Sequence, residues 1–229
     1  MPRTRQPRTR RPRTGTVRRG GPSALTLVGV VVLVLFAGAV GFGVYRAQAG
    51  GGALPAGATA AGVAVGNPDA PVTIDLYMDF QCPACAQYEQ QAGATIDELV
   101  ASGRARVVYH PVAYLNRFSS TRYSSRSSAA AGCAADAGVL PRFAQLLFAN
   151  QPPEGGDGLP EDRLIALGTQ AGAGGDFATC VQAGTYADWT RSVTDAASRA
   201  GVTATPTVLV NGTVIGNSAD ALRAAVTAG

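Results

Sequence analysis

The chain has no lysine: all 19 of its basic residues are arginine, and it carries a single histidine, His110. An arginine-only basic set reflects coding bias more than physics and says nothing about mechanism. The shortage of histidine says more. Of the four cysteines, only Cys82 and Cys85 form a Cys-x-x-Cys pair, while Cys133 and Cys180 stand far apart. A zinc centre needs four ligands, usually completed by a second such pair or by histidines. Those completing ligands are scarce here, so no metal or other cofactor is expected. Acids are missing from residues 1–23, which hold eight arginines and four prolines. Such a segment has too little apolar surface to fold on its own and reads as a disordered basic tail. No internal repeat is visible.

One long uncharged run is present, the 22 residues from Ala24 to Tyr45. At 1.5 Å per residue, a helix of that length spans about 33 Å, against a bilayer core of roughly 30 Å. Residues 24–45 are therefore expected to form a single transmembrane helix. The arginine-rich flank stays in the cytoplasm, and everything C-terminal to the run lies outside it. A cleavable signal peptide is the competing reading. Ala47-Gln48-Ala49 fits a cleavage site, and Arg10-Arg11 or Arg18-Arg19 could serve as a twin-arginine pair. Signal h-regions, however, run to only about 7–15 residues. No cysteine closely follows the run, so a lipoprotein anchor is not indicated. Residues 46–66 are rich in glycine and alanine and read as a flexible linker with an r.m.s. span near 25 Å. Residues 67–229 then suffice for one domain with one core. The net charge of +4 belongs to the tail, because residues 46–229 contain 11 arginines and 15 acids. An exported domain with an acidic balance is not expected to bind nucleic acid.

Cys82-Pro83-Ala84-Cys85 directly follows the alternating run Val72 to Phe80, so the two thiols sit where a strand hands over to a helix. Unpaired N–H groups and the dipole at a helix start favour a thiolate. Cys82 is therefore expected to be the exposed nucleophile. Cys85 lies one turn later and is expected to be buried and to resolve the mixed disulfide. Pro83 occupies a position where a missing N–H costs the helix nothing. An inert bridge between Cys82 and Cys85, or half of a zinc site, remains the plainer alternative. Near the other end, Thr205-Pro206 precedes the β-branched run Thr207 to Val210, an Asn211-Gly212 turn and a returning strand at Val214-Ile215-Gly216.

A strand, a CPAC helix start and, more than a hundred residues later, a Thr-Pro loop entering a hairpin resemble the thioredoxin superfamily. The resemblance implies a cis peptide at Pro206, with Thr205 and the loop facing the dithiol and pairing with extended substrate. An ordinary trans proline opening an edge strand is the alternative. The interval from about 117 to 199 carries helical patterns, among them Phe143 to Phe148 and Arg163 to Leu167. Leu159-Pro160-Glu161-Asp162 opens a helix within it. This looks like the helical insert of DsbA-like proteins. Asp79-Phe80-Gln81-Cys82-Pro83-Ala84-Cys85 and Tyr109 to Leu115 also resemble the membrane-anchored DsbA-like proteins of high-GC Gram-positive bacteria, over roughly residues 60–229. The expected fold is thus α/β, thioredoxin-like with a helical insert.

The resemblance further implies thiol-disulfide oxidoreductase activity on exported protein thiols, through Cys82 and Cys85 with Pro83, Ala84, Thr205 and Pro206 around them. It also implies reoxidation by a quinone-linked membrane oxidase. In an oxidising compartment Cys133 and Cys180 are most simply a structural disulfide, as some relatives carry in the insert; an electron relay is the alternative. Two departures from the family stand out. Ala84 replaces the histidine of the strongly oxidising enterobacterial member, so a Cys82 pKa below the free value but above about 3.5 is expected. Leu76 occupies the position, six residues before the first cysteine, where many relatives place a carboxylate. Asp75 and Asp79 are expected on the opposite strand face from it, with Asp79 either joining the proton chemistry or merely capping the helix or facing solvent. His110 reads as a strand-end structural residue, with copper ligation alongside the dithiol as the alternative. Tyr186 and Trp189 read as packing residues of the insert.

Overall fold

In the run Val72–Met78, buried and half-buried residues alternate without a break, as a strand with one face on the core requires. This strand, β2, lies at the centre of a five-stranded sheet in the order β1-β3-β2-β4-β5. β1 is Val63–Val65, β3 Ala105–Pro111, β4 Thr207–Val210 and β5 Thr213–Val214. β2 runs parallel to β3, with Val72 opposite Ala105 and Met78 opposite Pro111. It runs antiparallel to β4, with Tyr77 opposite Thr207. The computed structural model describes residues 52–228. The expected basic tail and the transmembrane helix of residues 24–45 lie outside the described residues. Among those described, no helix is long and apolar enough to cross a membrane.

The parallel β2–β3 pair needs a crossover, supplied by helix α1, Pro83–Ala101. Its buried face carries Cys85, Ala86, Tyr88, Ala92, Ile96 and Leu99. These join Ile74, Leu76 and Val107 of the sheet in one hydrophobic core. Each large apolar side chain so covered stabilises the fold by about 1.5–3 kcal/mol. Between β3 and β4 the chain builds the insert from α2 (Tyr123–Asp136), α3 (Leu140–Ala149), α4 (Glu161–Ala171), α5 (Asp176–Ala183) and α6 (Ala187–Arg199). A short 3₁₀ turn, Asn116–Phe118, leads into it. Helix α7, Ala219–Ala228, returns to the sheet. The insert extends the same core, and within it Phe143 meets Phe177 edge-on at 5.5 Å and Trp189 is fully buried. Gly132 lets α2 approach closely, since a Cβ there would lie 2.7 Å from the Tyr186 ring. Cys133 on α2 and Cys180 on α5 are disulfide-bonded, with their Cα atoms 5.9 Å apart. The Asn211-Gly212 turn has both residues at positive φ, which suits a tight hairpin between β4 and β5. The returning strand starts one residue earlier than the sequence suggests and is only Thr213–Val214.

The expected linker at 46–66 needs correction over its described part. β1 lies within it, and the residues before β1 form a strap stitched to the domain. The Ala56 amide donates to Asp136 at 2.6 Å, Trp189 Nε1 to the Thr59 carbonyl at 2.8 Å, and His110 Nδ1 meets the Ala61 carbonyl at 2.6 Å. Glycine and alanine suit this strap because backbone, rather than side chain, makes its contacts. The composition that reads as flexibility therefore serves close approach.

Candidate active site

Cys82 is the N-cap of α1, with Pro83 at the first helical position. No side chain caps that end and no acid stands in its first turn. No side-chain acceptor therefore competes with the sulfur for the Ala84 and Cys85 amides of that turn, which favour its charged form. The Cys82 thiol is held down at about 6, chiefly by the hydrogen bond from Cys85. Burial opposes the shift, and the Thr205 side chain and the Cys85 and Ala84 amides reinforce it. Cys85 moves the other way: burial pushes its thiol up strongly, and the hydrogen bond and charge of Cys82 add to this. One environment thus makes two unlike sulfurs, a nucleophile ionised near neutrality and a partner that stays protonated until it is needed.

Both thiols are free, and both are buried, Cys82 at 7% exposure and Cys85 at 2%. The expectation of an exposed Cys82 is therefore corrected. The Thr205–Pro206 loop and the insert lie against it, and only Pro83 and Ala84 of the motif are exposed. The Thr205–Pro206 peptide is cis, and the Cys82 thiol donates to the Thr205 carbonyl at 3.3 Å. Pairing of β4 with the end of β2 carries this loop to the dithiol, more than 120 residues from it in sequence. Asn217 steadies the loop by donating from Nδ2 to the Pro206 carbonyl at 3.0 Å.

Asp79 also departs from expectation. β2 ends at Met78, so strand alternation no longer governs Asp79, which is fully buried at 0% exposure. Its Oδ1 accepts from the Gln81 amide and its Oδ2 from the Leu115 amide, each at 2.9 Å. Burial raises its pKa against these bonds. Asp75 instead pairs with His110 Nε2 at 2.9 Å on the sheet. His110 stacks on Tyr77 with ring centroids 4.0 Å apart and has both nitrogens engaged. The structure does not bring it to the dithiol. Among the described residues no three His, Cys, Asp or Glu side chains cluster as a metal site would need. Tyr186 and Trp189 pack within the insert, Tyr186 bonding to Asp136. One turn beyond Cys85, the Glu89 carboxyl is pushed up to about 7 by burial and by Asp97.

Two glutamines at the dithiol escaped the sequence reading. Gln81 donates from Nε2 to the Phe118 carbonyl at 2.9 Å, and Gln151 reaches the active-site turn from the loop after α3. Nothing in the local pattern marks Gln151; only the tertiary fold brings it there.

A central sheet, a helix begun by CPAC and a cis-proline loop against the sulfurs define a thioredoxin-fold protein built for thiol-disulfide exchange. A thioredoxin family model matches residues 58–228, and the chain belongs to that family. Among solved structures it is similar to the reduced disulfide bond oxidoreductase DsbG of Mycobacterium tuberculosis. That match has 38% identity and a TM-score of 0.63, covering 72% of this chain and 82% of that one. It is similar also to reduced DsbA of the same organism, at 36% identity and TM-score 0.63, covering 72% and 86%. The serine/threonine-protein kinase PknE of Mycobacterium tuberculosis is 33% identical over 130 residues, 54% of this chain; the match spans only 23% of the kinase's length. The protein is a DsbA-like thiol-disulfide oxidoreductase.

Proposed function

We propose that the protein works outside the cytoplasm as an oxidant, introducing disulfides into exported proteins while tethered to the membrane by residues 24–45. The observation that carries this reading is the Cys82 sulfur, held as a thiolate near neutrality at an uncapped helix start. Stabilising the thiolate stabilises the reduced form, and a dithiol whose reduced form is favoured passes its disulfide on to others. The bonded Cys133–Cys180 pair supports an oxidising compartment.

The cycle starts from the Cys82–Cys85 disulfide. A substrate thiolate attacks Cys82 Sγ, a substrate–Cys82 bond forms, and Cys85 leaves with the electron pair and takes up a proton. A second substrate thiolate then attacks the substrate sulfur of that mixed disulfide. Cys82 departs as a thiolate, which the Cys85 thiol and the helix amides stabilise. Two electrons have passed from substrate to enzyme. A quinone-linked membrane oxidase, the partner that the family resemblance implies, removes them and restores the disulfide.

The test is refolding of a reduced protein that needs disulfides for activity. Stoichiometric oxidised enzyme should accelerate recovery, and the Cys82→Ser variant should not. If the enzyme instead only reduces insulin when supplied with dithiol, and equilibrates with glutathione at a thioredoxin-like potential, it is a reductant of exported cysteines.

A further inference from the structure

We propose that Gln151 is a positioning residue of the redox centre, holding the Cys82 turn in the shape that presents the helix amides to the nucleophilic sulfur. The inference rests on the dithiol being the reactive site and is silent on the direction in which electrons flow.

The geometry is specific. The Gln151 carboxamide has two N–H groups, and Nε2 donates to the Phe80 carbonyl at 2.9 Å and to the Cys82 carbonyl at 3.0 Å. One side chain thus bridges the carbonyls of Phe80 and Cys82, the two residues that flank Gln81. It does so from 69 residues downstream of Cys82, across the boundary between insert and sheet domain. The Cys82 carbonyl already takes the Cys85 and Ala86 amides at 3.1 and 3.2 Å as the first acceptor of α1. Where that carbonyl sits therefore bears on how the first turn of α1 lies against the sulfur: the Cys85 thiol chiefly holds the Cys82 thiol down, and the amides of Cys85 and Ala84 add to it. The positive edge of the carboxamide also offsets the negative end of the Cys82 carbonyl dipole beside the sulfur.

From the other side Gln81 anchors the same turn, donating to the Phe118 carbonyl while its Oε1 accepts from the Ser124 hydroxyl at 3.4 Å. The tilted contact of Phe80 with Phe148, with centroids 5.2 Å apart, sets the distance between turn and insert that lets Gln151 reach. Gln151 is half-buried and touches neither sulfur through any hydrogen bond, so it acts through the backbone of Cys82 and is not itself a catalytic residue.

The test uses the full chain and its Gln151→Met and Gln151→Glu variants. Methionine keeps the length and loses the donors; an ionised glutamate sets a negative charge against two carbonyls. The pH dependence of Cys82 alkylation and the equilibrium with glutathione are read for each. In Gln151→Met the thiol midpoint should rise by about half to one pH unit. The protein disulfide should become about three- to tenfold more favoured against glutathione, and more so in Gln151→Glu. A fall in melting temperature with an unmoved midpoint and an unmoved glutathione equilibrium would reduce Gln151 to a packing residue and overturn the proposal. Should the variants not fold, the Gln151 side-chain amide signals of the ¹⁵N-labelled wild type decide. They should titrate with the Cys82 midpoint and lose that titration in Cys82→Ser, and signals indifferent to Cys82 ionisation overturn it. A wild-type Cys82 midpoint near that of a free thiol is a different failure, that of the dithiol reading itself.

Discussion

The chain carries two cysteine pairs in opposite circumstances, one just beyond the end of the central strand and one inside the insert. Cys82 and Cys85 are three residues apart at the open end of a helix, where N–H groups face one sulfur and burial weighs on the other. Cys133 and Cys180 are 47 residues apart and join α2 to α5 in helices that offer neither sulfur a helix start. The first pair is free and the second bonded. Reactivity therefore follows from backbone placement, and loop length separates the energetic roles. A bridge over two intervening residues constrains the unfolded chain little. One closing a long loop stabilises by roughly 4 kcal/mol in the chain-entropy account.

The sharpest way to break this contrast is to exchange the losses. Cys82→Ser should abolish thiol-disulfide exchange, by about a thousandfold or more in turnover, because no other thiol is presented to substrate. Cys85→Ser should instead accumulate mixed disulfides, visible as trapped adducts on non-reducing gels. Removing the other pair, as Cys133→Ser with Cys180→Ser, should lower stability to denaturant by up to roughly 4 kcal/mol. Turnover per folded molecule should stay within about twofold. A thousandfold loss of turnover in that double variant would make the insert pair a relay and end the distinction.

A subtler measurement concerns pH. The Cys82 thiol is depressed to about 6 in the folded reduced protein, so its ionisation adds stability above the unfolded thiol pKa of about 8.5. That contribution is lost as pH falls through about 6. The stability of the reduced form relative to the oxidised form should shrink over this window, as chemical denaturation of both forms would report. The smallest effect belongs to Glu89, whose carboxyl is raised to about 7. Folding then favours its protonated form, and this contribution fades as pH rises from about 4.5 through 7. Glu89→Gln should flatten that slope and leave the Cys82 midpoint in place.

What could be read in advance was chemistry confined to a few neighbouring residues. CPAC behind an alternating strand, proline and acids opening α4, and Asn211-Gly212 turning a hairpin each act through backbone geometry within a turn or two. The Thr205–Pro206 loop and the insert were legible only because order along the chain resembles a known family. What escaped was set at long range. The burial of Asp79 depends on where β2 stops and on an amide at Leu115, and the cover over Cys82 depends on residues from 151 and 205. A strap of glycine and alanine looks like a linker until Asp136, Trp189 and His110 are found holding its peptide groups.

That strap has a mechanical side. Force drawn along the chain from residue 52 meets Ala56 on α2, then Thr59 under Trp189 of α6, then Ala61 against β3, before it reaches β1. A tug from the N-terminal side is thus spread over three elements in turn. None of these three attachments is made to the CPAC turn, so a pull along the strap is taken up before it reaches the dithiol.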